Sequence, residues 1–233
     1  LSDLLEFRKR GRLSLHTKVV LATSGALFGI GAVVIFIFEF TNALRPLGWD
    51  GKIWASLFQS AAPRSFGVNT LDIGSLRQAT QFFLILLMFI GAAPGSTGGG
   101  IKVTTFATLV GAVIAMMRGK DEVVLFRFRL ARERIFKALT ITMISLAVVV
   151  AVTMVLSTTE DRAFLRILFE TVSAFGTCGL STGITPQLTD FGKLLLCLTM
   201  LAGRIGPLTF AYALRPKEEK ELYRYPEGRI IIG

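Results

Sequence analysis

Along this chain apolar residues come in long blocks, not in strict alternation. Four blocks approach or exceed the ~20 residues that a helix needs to cross a hydrocarbon core. They cover residues 19–40, 82–117, 138–156 and 194–214. Long apolar blocks parted by polar links predict an all-α protein built to sit in a membrane.

The second block is interrupted. From Phe89 to Lys102 it reads FIGAAPGSTGGGIK, with five glycines and a proline. Both residue types are poor in helix interiors, so the helix is expected to stop here and to resume beyond Ile101. At membrane depth, non-helical backbone is tolerated only where protein buries it or it lines a watery cavity. A mid-membrane break therefore predicts a pathway. A glycine-rich packing face is the alternative, since small residues let membrane helices approach closely. Gly98-Gly99-Gly100, with Pro94 nearby, goes further and breaks the helix.

The same glycines invite comparison with a phosphate-binding loop, in which Gly-x-x-x-x-Gly-Lys-Ser/Thr follows a strand. Gly95 and Gly100 have the right separation, but Ile101 stands at the lysine position and Val103 follows Lys102. The preceding segment is a long apolar helix. A nucleotide-binding enzyme is accordingly disfavoured, and no nucleophile–base set supports another enzyme.

Between the blocks a pattern occurs twice. Residues 50–62, DGKIWASLFQSAA, make about three helical turns, too few to span; Pro63 and then Arg64-Ser65-Phe66-Gly67-Val68-Asn69-Thr70 follow. Residues 162–175 also read as a short helix, followed by Gly176-Thr177-Cys178-Gly179-Leu180-Ser181-Thr182-Gly183. LFQSAAPRSFGVNT from Leu57 aligns with LFETVSAFGTCGLST from Leu168. Each copy has a hydroxyl residue two before a glycine (Ser65, Thr177), an apolar residue after it (Val68, Leu180), and then a small polar one (Asn69, Ser181). An internal repeat is a fold-level signal. The unit is span, half-membrane helix, extended loop, span.

Such a unit suits a cation. A short helix ending inside the membrane directs its partly negative C-terminus toward the centre. Extended backbone beyond it can turn carbonyls inward to replace an ion's water shell, and Gly67 and Gly179 permit the backbone geometry required. Ordinary loops containing a glycine are the bland alternative, which two matched copies weaken.

Half the residues are hydrophobic, yet the formal charge is +10. Three segments hold 17 of the 26 Lys and Arg: the one before the first block, the link 118–137, and the end from Arg215. By the positive-inside rule all three are placed in the cytoplasm, although such excess could also serve nucleic acid or anionic lipid heads. Cys178 and Cys197 show no metal or redox spacing, and His16 carries no assigned role. The start at Leu1, without methionine, and the charge of residues 1–18 predict a piece of a longer chain, not a signal peptide.

The paired loops, the GSTGGGIK break and Gly203-Arg204-Ile205-Gly206-Pro207-Leu208 together resemble the Trk/Ktr/HKT superfamily of potassium transporters, most closely its KtrB/TrkH branch. The resemblance runs from Leu13 to the Tyr225-Pro226-Glu227-Gly228-Arg229 end. Members carry four span–pore helix–filter loop–span repeats around one pore and pair as homodimers. The present chain looks like the third and fourth, so the remaining loops would come from an N-terminal half or from another copy.

The resemblance implies a multi-pass protein of the plasma (bacterial inner) membrane that conducts potassium passively. Its cytoplasmic segments are expected at 1–18, 119–137 and 215–233, with pore repeats at 19–118 and 138–214. It implies K+ held by carbonyls of Ser65, Phe66, Gly67, Val68 and of Thr177, Cys178, Gly179, Leu180, with Asn69 and Ser181 at the outer mouth. Each loop keeps a single central glycine, which leaves room for Na+. The loop 91–100, containing Gly91, Pro94, Gly95, Ser96, Thr97, Gly98, Gly99 and Gly100, would be the gate; Lys102, at its end, would either pair with carbonyls there or lie in the cytoplasmic vestibule.

Arg204, expected near the middle of the last span, is costly there. It would either repel a cation at the closed gate or cap carbonyls freed by Gly203 and Pro207. Glu170 is read as a brace for its pore helix and Arg64 as a strut. A cytoplasmic nucleotide-sensing ring of the KtrA or TrkA kind is the implied partner, with 118–137 as its surface or as a topology signal alone. The apolar tail 223–233 is expected to pack on the transporter or its dimer mate. No nucleic acid and no covalent cofactor are implied. A non-conducting membrane scaffold is the competing class.

Overall fold

The computed structural model describes residues 13–64, 67–120 and 122–206. Seven α-helices organise them: α1 Leu15–Glu39, α2 Trp49–Ala61, α3 Gln78–Phe89, α4 Val103–Met117, α5 Arg132–Thr159, α6 Phe164–Gly176 and α7 Asp190–Ile205. Ser65, Phe66, residues 1–12 of the basic N-terminal segment, the expected span end 207–214 and the tail 215–233 lie outside the described residues.

Among the described residues α1 and α5, at 25 and 28 residues, are long and apolar enough to cross a membrane, and α3 and α4 are shorter apolar helices. The helix that the second block promised ends at Phe89 and restarts at Val103, as the run of glycines requires. α2 and α6 are 13 residues each, roughly 20 Å at 1.5 Å per residue. α2 continues into a tight 3-10 turn at Ala62–Arg64, where Pro63 prevents further α-helix.

α1 and α2 approach closely because α1 has Gly31 at the crossing: a Cβ there would lie 2.2 Å from Ser60 Oγ. The Ser60 hydroxyl donates to the Phe28 carbonyl at 2.7 Å. The main core joins α1, α2, α3 and α6 through Ile35, Ala55, Leu84, Met88, Phe169 and Phe175. A second cluster ties α5, α6 and α7 through Leu156, Ile167 and Leu196.

Two buried glutamates hold this frame together. Glu39, the last residue of α1, accepts from the Arg77 N–H at 2.9 Å and the Thr80 hydroxyl at 2.5 Å, both at the start of α3. It also accepts from Asn42 Nδ2 and the Ala43 N–H. Glu160, just past α5, accepts from the Thr189 N–H and hydroxyl at the start of α7. In each case a carboxylate ending one long helix caps the N-terminus of a later one, where the helix dipole favours negative charge.

Three details go beyond the sequence reading. The chain is not purely helical: Val124–Leu125 and Phe128–Arg129 form a small antiparallel hairpin in the basic link. α5 begins at Arg132, so the last residues of that link belong to a helix. Arg204 lies in the final turn of α7, which Gly206 at φ +90° ends; the remainder of the expected span, 207–214, lies outside the described residues. Pro207 follows, and proline disfavours helical geometry in the residue before it.

Candidate ion pathway and gate

The loop after α2 and the loop after α6 meet at their glycines. Gly67 has φ +68° and Gly179 φ +85°, a region costly to residues with a Cβ. A Cβ on Gly67 would lie 3.1 Å from the Cys178 carbonyl oxygen, and one on Gly179 would lie 3.2 Å from the Gly67 Cα. Conformation and space therefore both demand glycine at these two positions. A further tie spans the loops: the Cys178 thiol donates to the Pro63 carbonyl at 2.8 Å.

The other proposed filter positions are placed as follows. Val68 is half exposed, and Asn69, also exposed, turns its Nδ2 back to the Leu71 carbonyl at 2.7 Å. Thr177 takes a left-handed backbone at φ 50°. Cys178 and Leu180 are buried, and the Leu180 carbonyl accepts from the Ser173 hydroxyl at 2.6 Å, which occupies one of its lone pairs.

Glu170, buried in α6, holds the chain beyond the second loop. Its carboxylate accepts from the hydroxyls of Ser181 at 2.7 Å, Thr182 at 3.0 Å and Thr185 at 2.7 Å, and from the Thr182 N–H at 2.8 Å. The brace acts on the segment after the loop as well as on α6. Gln59 stands at the aligned position of α2, fully buried, with neither amide atom hydrogen-bonded among the described residues. Arg64 donates to the Ser24 carbonyl of α1 at 3.3 Å, a strut from loop to helix.

Residues 91–100 form a closed loop with a stitched neck. The Gly91 N–H donates to the Ile101 carbonyl at 2.8 Å, the Ile101 N–H to the Phe89 carbonyl at 3.2 Å, and the Val103 N–H to the Ala92 carbonyl at 3.3 Å. The tip is a turn through Pro94 and Gly95, closed by the Ser96 N–H and hydroxyl on the Ala93 carbonyl. Gly95, Ser96 and Thr97 are exposed, whereas Gly98, Gly99 and Gly100 are buried.

That buried run packs beneath the end of α6. The Gly99 N–H lies 3.1 Å from the Gly176 carbonyl and 2.8 Å from the Thr177 hydroxyl oxygen. A Cβ on Gly99 would sit 2.8 Å from the Phe175 carbonyl oxygen, and one on Gly203 of α7 only 1.9 Å from that same oxygen. Backbone thus meets backbone where α6, α7 and the loop converge. The partly negative end of α6 faces the Gly99 N–H of the loop.

Two cations latch the loop. Lys102 Nζ donates to the Gly98 carbonyl and Arg204 Nη1 to the Thr97 carbonyl. The sequence brought Lys102 and Arg204 into consideration separately; the fold sets them on adjacent carbonyls. In the sequence alone Gly176, Ser173, Glu39 and Glu160 carry only slight signals: an isolated glycine at a helix end, and a lone carboxylate at or just past the end of the first and third apolar blocks.

A family model described as TrkH, cation transport protein, matches residues 3–223. Ktr system potassium uptake protein B of Bacillus subtilis is 44% identical over 100% of this chain and 53% of its own length. Ktr system potassium uptake protein D of the same organism is 43% identical over 99% of this chain and 51% of its own. The potassium transporter TrkH of Vibrio parahaemolyticus shares the fold, with a TM-score of 0.70 at 19% identity, over 84% of this chain and 44% of that one. The chain spans about half the length of the curated relatives it matches. These relatives are cation transporters and not enzymes. With the family model covering nearly all of the sequence, the chain belongs to the TrkH family of cation transport proteins.

Proposed function

We propose that this chain forms half of a gated potassium pore in the plasma membrane, passing K+ passively and also admitting Na+. The observation that carries the reading is the stacking of three elements. Two loops appose their positive-φ glycines, Gly67 and Gly179, and the glycine loop 91–100 is held against the end of α6 directly beside Thr177.

In this reading each unit, 19–118 and 138–214, is a pore repeat, and two further repeats from an N-terminal half complete the ring. Carbonyls of Gly67, Val68 and of Thr177, Cys178, Gly179 face the ion, with Asn69 and Ser181 at the outer end; the Ser65 and Phe66 positions of the same set lie outside the described residues. Leu180 is the weakest member of this set, since its carbonyl already accepts from Ser173. Glu170 stiffens the second loop, while the first has only an unpartnered Gln59 at that position.

The gate closes because loop 91–100 obstructs the path below the filter. Lys102 and Arg204 hold its carbonyls and place positive charge where a cation would pass. Opening requires both latches to release. A cytoplasmic nucleotide-sensing ring of the KtrA or TrkA kind supplies that work, on a homodimer with both ends of this segment in the cytoplasm. Relatives named for potassium uptake, and one from Enterococcus hirae named for potassium/sodium uptake, support the choice of ions.

The test is potassium flux into liposomes containing the complete native chain, beside a Gly179→Ser version, with sodium as competitor. Potassium uptake whose selectivity collapses in the variant supports the filter. If neither version conducts, with or without the cytoplasmic partner, the pore reading falls and a membrane scaffold replaces it.

A further inference from the structure

A groove of about 430 Å³ runs between α3, α4 and α5. Phe89, Ile90 and Ile101 line it at one end, Val113, Ile114 and Thr142 elsewhere. Ile90 and Ile101 are the bridged pair at the neck of loop 91–100. The lining is almost wholly apolar, so the groove suits a hydrocarbon chain and not an ion or a nucleotide.

Beyond the last turn of α4 come Arg118 and Lys120, and then the hairpin. The hairpin is fastened to α4 and does not hang free. A Cβ on Gly111 would lie 2.9 Å from Leu125 Cδ2, and Val123 and Ala115 are buried. Other side chains of the hairpin are open to solvent: Val124, Phe126 and Phe128 are each about half exposed, with Arg127 and Arg129 exposed beside them. The turn residues Phe126 and Arg127 adopt φ 49° and 70° without glycine, a conformation that costs side-chain-bearing residues energy. Residues 118–137 hold seven basic and three acidic side chains. One acid, Glu122, pairs with Arg129 at 3.1 Å.

We propose that the groove and the hairpin together bind one anionic phospholipid. Its acyl chain lies along α4 against the neck of loop 91–100, and its phosphate head sits at the basic end of α4. Exposed aromatic and basic side chains at a helix end match the membrane interface, and the surplus of cations selects an anionic head over a zwitterionic one. A lipid so placed bears on the hinge of the gate. This last step rests on the reading of 91–100 as a gate; the binding itself does not.

The test is native mass spectrometry of the complete native chain in mild detergent, titrated with phosphatidylglycerol or phosphatidylcholine. Wild type is expected to retain phosphatidylglycerol preferentially. Arg118→Gln/Arg127→Gln/Arg132→Gln, all at exposed positions, should weaken that retention on the order of a hundredfold, at about fivefold per basic residue. Val113→Trp, which fills the groove and leaves every cation in place, should lose it too. Thermal melts of both variants in detergent check that they remain folded.

Equal retention of the two lipids by wild type overturns the proposal, as does a triple variant that keeps phosphatidylglycerol as well as wild type does. Potassium flux in liposomes with and without phosphatidylglycerol separates the two readings. Equal conduction in both overturns the link to the gate and leaves the pore intact. Lipid binding without conduction in either supports the lipid site and tells against the pore.

Discussion

The thiol of Cys178 and the carbonyl oxygen of Pro63 lie 2.8 Å apart although 115 residues separate them. Pro63 leads into one of the proposed filter loops and Cys178 sits within the other, so this bond fixes the spacing of the two loops across the proposed pore. We predict that Cys178→Val, close in volume but without a donor, lowers the K+ over Na+ preference by about threefold to tenfold, the worth of one hydrogen bond. Cys178→Ser, which keeps a donor, should restore most of it. Competition flux assays on both variants decide the matter, and equal selectivity in the two would remove Cys178 from the account.

Gly179 has both a positive φ and a neighbour 3.2 Å from any Cβ it might carry. Gly179→Ser should reduce K+ selectivity by roughly tenfold, because a side chain held at positive φ there also pushes the backbone of the other loop, and Gly67→Ser should act similarly. Gly183, at φ +89° but with open space around a Cβ, is the control: Gly183→Ser carries strain without crowding the other loop and should leave ion preference nearly unchanged. A Gly183 variant as unselective as the Gly179 one would show that strain alone, and not the apposed glycines, is being measured.

Arg204 donates to the Thr97 carbonyl in loop 91–100. Its replacement by Gln removes a charged hydrogen bond and the positive charge together. Basal potassium flux without any cytoplasmic partner is expected to rise about tenfold or more, given the strength of hydrogen bonds to charged groups. Lys102→Gln should raise it in the same direction. Unchanged or lower basal flux in properly folded Arg204→Gln would sink the latch.

Glu39 and Glu160 are buried carboxylates that cap α3 and α7. Either one changed to Ala strands several donors away from water. The loss is expected to be about 3 kcal/mol of stability, read as a lower melting temperature in detergent. Glu→Gln should cost less, because an amide oxygen still accepts. Ion preference of the surviving folded protein should stay near wild type, which separates this framing role from the filter.

Much of the frame was legible in the sequence because its signals are local. Block length marks α1 and α5, the glycine run marks the break between α3 and α4, and Pro63 marks the end of α2. A helix interior rejects glycine and proline whatever surrounds it, so those boundaries need no knowledge of neighbours. The aligned loops likewise pointed to Gly67 and Gly179, since a backbone at positive φ selects its residue directly.

What only the tertiary structure decided are the contacts between distant segments. Nothing in the run around Gly203 announces that it must admit the Phe175 carbonyl of another helix. Glu39 and Arg77, like Glu160 and Thr189, become partners only when the helices between them have packed. Lys102 and Arg204 could each be noticed as charges out of place, but their joint hold on adjacent carbonyls of one loop is a matter of position. The hairpin escaped for a related reason: its turn uses Phe126 and Arg127 at positive φ, where a sequence reading looks for glycine or asparagine. Backbone preference is written residue by residue; packing and hydrogen-bond partners depend on which surfaces the fold brings together.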